Sequence, residues 1–206
     1  MGTRDLGVIS SVLVLAALGW AIVIEQRELM IVTLPSYLGI WIAMTVAMML
    51  PSATPMLLLV DRLSHRAMPE FVVGYLVAWG AFGLAAYEVS SRVQWHATAA
   101  LLVAAGVHQL LPLKRACLRR CRNPVAFLRS HADKRPLAVG IRHGMLCVGC
   151  CAGLMVVLLA LGMMSVVWMT AVGAAILSEK VLPLGERIAP VLGAGLVGAG
   201  LVTVFA

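Results

Sequence analysis

Five cysteines, at positions 117, 121, 147, 150 and 151, are the residues of this chain best equipped for chemistry. Cys147 and Cys151 stand four apart and Cys150 three from Cys147, so on a helix all three thiols fall near one face. Thiolates at that spacing can chelate a soft ion such as Cu(I). In the same stretch, CVGCCAGLM, Gly149 and Gly153 form a small-residue pair that lets a neighbouring helix come close. One cysteine alone would read as apolar filler at that packing face, whereas a CxxCC run points to metal. Cys117 and Cys121 are also four apart, inside the cationic stretch KRACLRRCR, where positive charge favours thiolate and transient metal capture. The bland reading of this second pair, unconnected loop cysteines, has equal weight.

Methionine supplies a second soft donor, and the chain has 12. Met44 and Met48 share a helical face with Met49 beside them, and Pro51 and Pro55 follow. Pro51 removes a hydrogen bond to the Ala47 carbonyl, and Pro55 does the same to the carbonyl of Pro51. Carbonyls freed in lipid need protein or water partners, so irregular backbone and a buried polar pocket are expected here. A methionine stripe by itself is more often packing. Beside prolines and a CxxCC helix, thioether ligation carries equal weight. Counting depth at about 1.5 Å per residue, Met48 and Met155 fall at one height. Cys151 lies a turn further in, Cys147 a turn beyond that, and His108 near Cys147. Met163 and Met164 lie toward the outer end. The expectation is a ladder of soft ligands, thioethers outside and thiolates inside. Glu179 closes an apolar segment and is a functional candidate as an intramembrane acid, against the plainer reading of an interfacial charge. His65, His96 and His131 read as surface residues, and Arg142 and His143 as the start of a helix.

The elements that must hold these residues are membrane helices. Hydrophobic residues make up 62% of 206 and charged residues 12%, with mean hydropathy +0.99. That charged share is about half of what a soluble domain carries. A cytosolic enzyme, a secreted disulfide scaffold and a disordered tail are all excluded as the main reading. Apolar runs of spanning length cover Leu6–Ile24, Tyr37–Val60, Phe71–Tyr87, Trp95–Leu111, Met145–Leu177 and Ile188–Ala206. The 145–177 run is too long for one span and is expected to break near Gly162–Ser165. The fold expected is therefore an all-α polytopic bundle of seven spans, or six if that run is one tilted helix. The first span is read as retained, because Glu25-Gln26-Arg27-Glu28 is a poor cleavage site.

Placing the N-terminus inside puts every Lys and Arg except Arg27 and Arg92 on the cytoplasmic side, with the C-terminus outside. Trp20, Trp41, Trp95 and Trp168 then fall near outer ends, as an interfacial belt would. The chain reads as one transmembrane domain, 1–206, with a basic cytoplasmic loop at 112–142. All five cysteines face the reducing compartment, which disfavours disulfides. The net charge of +7 reflects this topology and contact with anionic lipid rather than nucleic acid. No nucleophile elbow, phosphate loop or carboxylate pair is found, so an enzyme is the weaker reading.

Taken together, WIAMTVAMMLPSATP at 41–55, HQLLPLKRACLRRCRNP at 108–124, GMLCVGCCAGLM at 144–155, GMMSVVWM and EKVLP resemble a bacterial family of predicted metal-binding integral membrane proteins. Some of its members are labelled copper chaperones. The resemblance runs from Trp41 to Pro183 and implies a multi-span bacterial inner-membrane protein handling copper. By motif match it carries over Met44, Met48, His108, Cys117, Cys121, Cys147, Cys150, Cys151, Met155 and Glu179 as metal candidates. The chain departs from the pattern at Ala152-Gly153, where a bulky residue commonly follows the cysteine pair. Two functions compete: a Cu(I)-binding membrane protein for copper delivery, and a non-catalytic assembly or structural subunit of a larger membrane enzyme, itself copper-dependent. A thiol-based membrane oxidoreductase is weaker, because a buried CxxCC has poor access.

Overall fold

The computed structural model describes residues 2–26, 33–92, 98–162 and 165–205, with side chains described outside 90–92 and 204–205. Met163, Met164, Arg27, Trp95 and His96 lie outside the described residues, as does the Arg92 side chain. Among the described residues the secondary structure is helical, without strands. The helices are α1 (Thr3–Gln26), α2 (Leu34–Leu63), α3 (Met68–Arg92), α4 (Thr98–Leu110), α5 (Pro112–Cys121), α6 (Pro124–Arg129), α7 (Pro136–Leu161), α8 (Val166–Val181) and α9 (Gly185–Phe205). A short 3-10 turn, His65–Ala67, precedes α3.

Five segments are long and apolar enough to cross a membrane: α1, α2, α3 with its preceding turn, α7 and α9. A sixth arises if α4 and α5, bent by 63° across Leu111, are one broken span. Leu111 is extended because Pro112 follows it, and the proline ring excludes its predecessor from the helical region. The long apolar run does break where expected. Gly162 has φ +103, a left-handed conformation suited to glycine, and Ser165 then caps α8 by accepting from the Trp168 N–H. A count of seven would need α8, whose 16 residues reach only about 24 Å against a core of about 30 Å. The stretch 112–142, read as a basic connecting loop, holds α5, α6 and the first turns of α7. Prolines at the first helical positions and the Asn123 cap explain why it is ordered into helices.

The chain forms two compact units, Met1–Leu84 with Asn123–Leu146 and Ala85–Arg122 with Cys147–Ala206. In the first, α1 packs along α2. A Cβ on Gly19 would lie 2.7 Å from the Ala43 carbonyl oxygen, so the two backbones are in direct contact. Val8, Val12, Leu50, Met56, Phe71 and Phe127 belong to its core. The α2 helix runs unbroken through Pro51 and Pro55. The carbonyl of Pro51, freed by Pro55, accepts from the Thr54 hydroxyl at 2.8 Å, so local side-chain bonding replaces the expected irregular backbone. Met44 and Met48 are buried within this unit. Trp41, expected near an outer end, is fully buried within the protein, and its indole N–H donates to the Trp79 carbonyl at 2.9 Å.

In the second unit α4 lies along α9. A Cβ on Gly106 would stand 2.7 Å from the Gly193 carbonyl oxygen, and one on Gly200 would stand 2.9 Å from that of Ala99. These small residues bring the backbones of two apolar helices together. This unit also holds the C-terminal part of α7, with its CxxCC run, and both α5 and α8.

Candidate metal centre

The second unit gathers all five cysteines. Cys147, Cys150 and Cys151 come from successive turns of α7 and are fully buried. Cys150 Sγ stands 3.4 Å from Cys151 Sγ, and it donates to the Cys147 carbonyl at 3.2 Å. The fourth thiol comes from α5, where Cys121 Sγ lies 3.9 Å from Cys150 Sγ. Cys147 has Cys121, Cys150 and Cys151 as side-chain hydrogen-bonding neighbours. The CxxCC run and the second cysteine pair are therefore one cluster rather than two separate features. None of the five cysteines is in a disulfide.

Gly149 and Gly153 do what their spacing predicts, and α4 and α5 are the helices they admit. A Cβ on Gly149 would lie 2.8 Å from Cys117 Sγ, and a Cβ on Gly153 would lie 2.7 Å from His108 Nδ1. Cys117 and His108 thus rest on the glycine face of α7, beside the cluster. The Nδ1 atom of His108 is buried and has no hydrogen-bond partner among the described residues. Met155, fully buried, lies one turn beyond Cys151 on the same helix. Met44 and Met48 belong to the other unit.

Glu179 is engaged by its own neighbours. Its carboxylate accepts from Lys114 Nζ at 2.7 Å and from Gln109 Nε2 at 2.9 Å, and all three side chains are buried. Its carbonyl accepts from Arg122 Nη1 at 3.1 Å, while Arg122 Nη2 reaches the Leu182 carbonyl at 2.7 Å. A cationic side chain on the final carbonyls of α8 satisfies acceptors that no later turn can reach, and it opposes the negative end of the helix. The C-terminal turn of α8 is thus fixed at both the side chain and the backbone of Glu179.

The next residue, Lys180, places its Nζ 2.8 Å from Cys147 Sγ. Sequence reasoning used Lys180 only as a topology charge and missed this contact. The available signal was an adjacent acid and base closing an apolar helix, a pair that needs partners inside the protein. Lys114 and Gln109 were missed for the same reason: each looked like a loop or span-end residue until α5 folded back.

Among the described residues, no group of three or more His, Cys, Asp or Glu side chains could hold a metal ion as it stands. The donor set itself suits a soft ion: thiols and a nearby thioether, with the carboxylate of Glu179 already taken up.

A family model named PpoB2 and described as copper chaperone matches residues 38–203. That range contains all five cysteines, His108, Lys180 and the methionine candidates. No curated protein and no solved structure matches the chain.

Proposed function

The chain belongs to the PpoB2 family of copper chaperones, and from that premise we propose that it binds Cu(I) in the membrane and passes it to a partner. The observation that carries this reading is the meeting of Cys121 from α5 with Cys147, Cys150 and Cys151 from α7. Two helices converge on one patch of soft donors inside an apolar unit. Cu(I) is taken up there by thiolates, each thiol losing its proton as the metal arrives, so affinity falls with falling pH. Met155 and His108 stand next to the cluster as the donors through which the ion enters or leaves by exchange of one ligand at a time. Cys117, against Gly149, is a further stop on that path.

The chain is read as a multi-pass protein of the bacterial inner membrane, with its N-terminus and every Lys and Arg except Arg27 and Arg92 on the cytoplasmic side. Seven spans then include α8, and the thiol cluster faces the reducing compartment. Met44 and Met48 are secondary thioether candidates in the other unit. The acceptor is a copper-dependent membrane enzyme or one of its subunits, and lipid contacts cover the exposed apolar side chains of the helices.

Elemental analysis of the chain purified under reducing conditions, with co-purifying subunits identified, tests the proposal. Stoichiometric copper without zinc or iron supports it. A metal-free protein that stays tightly bound to other membrane subunits after Cu(I) has been offered would instead favour a purely structural role.

A further inference from the structure

Four cysteines in one cluster offer thiolates to zinc as well as to copper. What sets this cluster apart is the cation already inside it, the Lys180 ammonium at 2.8 Å from Cys147 Sγ. Its place is set by the residue before it, because Glu179 is bonded through its carboxylate to Lys114 and Gln109 and through its carbonyl to Arg122.

We propose that Lys180 is the selectivity residue of the thiol site, admitting a soft monovalent cation and rejecting divalent ions of the zinc class. The inference rests on the reading of Cys121, Cys147, Cys150 and Cys151 as copper ligands, and it adds a residue that does not itself ligate. A metal held in this cluster shares a small apolar volume with the ammonium 2.8 Å from Cys147 Sγ, and Coulomb repulsion from a fixed positive charge is twice as large for a divalent ion. The screening that would hide this difference in water is weak inside an apolar unit. Lys180 therefore costs a divalent ion of the zinc class more than it costs Cu(I).

The experiment uses the full chain in detergent micelles under reducing, anaerobic conditions. Cu(I) affinity is read by competition with a chromophoric chelator, and Zn2+ affinity by competition with a fluorescent one. Cd2+ serves as a spectroscopic probe, because thiolate-to-cadmium charge transfer reports how many thiols bind. Wild type, Lys180→Gln and Lys180→Arg are compared, each checked for monodispersity by size exclusion. The expected result is a Lys180→Gln gain of about tenfold or more in Zn2+ affinity relative to Cu(I), as removal of a nearby charge in a weakly screened site implies, with additional cadmium–thiolate absorbance. Lys180→Arg keeps the charge and should keep the wild-type preference. An unchanged Zn2+-to-Cu(I) ratio in Lys180→Gln overturns the inference, as does an equal shift in Lys180→Arg and Lys180→Gln. Should Lys180→Gln not remain monodisperse, Lys180→Met takes its place under the same two criteria. Absence of Cu(I) binding in wild type is a different failure: it removes the copper reading itself, and this inference falls with it.

Discussion

Lys114 Nζ lies 2.7 Å from Glu179 Oε2, and the two side chains are 0% and 2% exposed. The pair ties α5 to α8, and Gln109 from α4 joins it. Burying two charges is costly, and their attraction offsets that cost only while both are present. Removing one partner leaves the other as an uncompensated charge in an apolar unit. Lys114→Met or Glu179→Gln alone should therefore lower stability by about 3–5 kcal/mol, read as a fall in the thermal midpoint in detergent. The double variant Lys114→Met/Glu179→Met should recover most of the loss. Equal losses in the double and single variants would mean that the pair is not coupled.

Glycine at the α4–α9 crossing supplies a second test. At Gly106 a Cβ would meet the Gly193 carbonyl oxygen at 2.7 Å and the Val197 amide nitrogen at 2.8 Å, whereas at Gly195 it would meet nothing within 4 Å. Gly106→Ala should force the backbones apart and cost about 1–3 kcal/mol, the usual range for overpacking. Gly195, on α9, is exposed, and Gly195→Ala should be neutral or slightly stabilising, since alanine is the better helix former. Parallel thermal melts of the two variants decide it, and equal midpoints would contradict the close approach.

The indole of Trp41 offers a third. Its N–H donates to the Trp79 carbonyl at 2.9 Å in a site closed to solvent. Trp41→Phe removes the donor and leaves an acceptor without that partner, at an expected cost of about 1–3 kcal/mol. Intrinsic fluorescence of the wild type should also show a blue-shifted, buried component that this variant loses. A variant with the wild-type midpoint and spectrum would place Trp41 at the surface instead.

How much of this was readable in the sequence follows from what each signal measures. Runs of apolar residues of spanning length can be read directly, so α1, α2, α3, α7 and α9 and the break after Leu161 could all be expected from composition and one glycine. The charges of the 112–142 stretch gave no sign of α5 and α6; Pro112, Pro124 and the Asn123 cap were the local signs of helix. The meeting of Cys121 with Cys150 depends on α5 bending 63° from α4, and that tertiary event has no counterpart in residue spacing. Likewise, the two prolines of α2 marked carbonyls without partners, but Thr54 next to Pro55 was the residue that supplied one.

That bend yields a fourth prediction. Because Cys121 touches the cluster while Cys117 rests on Gly149, the two members of the pair should differ. Cys121→Ser should weaken Cu(I) binding by about tenfold or more, since a hydroxyl is a hard and poor ligand for this ion. Cys117→Ser should leave the equilibrium affinity near wild type and act, if at all, on the rate of transfer to an acceptor. Chelator competition and stopped-flow transfer separate the two, and equal affinities for the two variants would detach Cys121 from the site.

The most direct test is the copper stoichiometry of the chain in which Cys147 and Cys151 are both replaced by serine, measured beside wild type under reducing conditions at neutral pH. These two residues hold the ends of the CxxCC run, and Cys147 is the one that Lys180 approaches. The expected result is stoichiometric Cu(I) in wild type, declining as the pH is lowered because ligation displaces thiol protons, and loss of bound Cu(I) in a double variant that remains folded and monodisperse. A folded double variant that keeps the wild-type copper stoichiometry would contradict the account and leave the cysteines of α7 as packing residues.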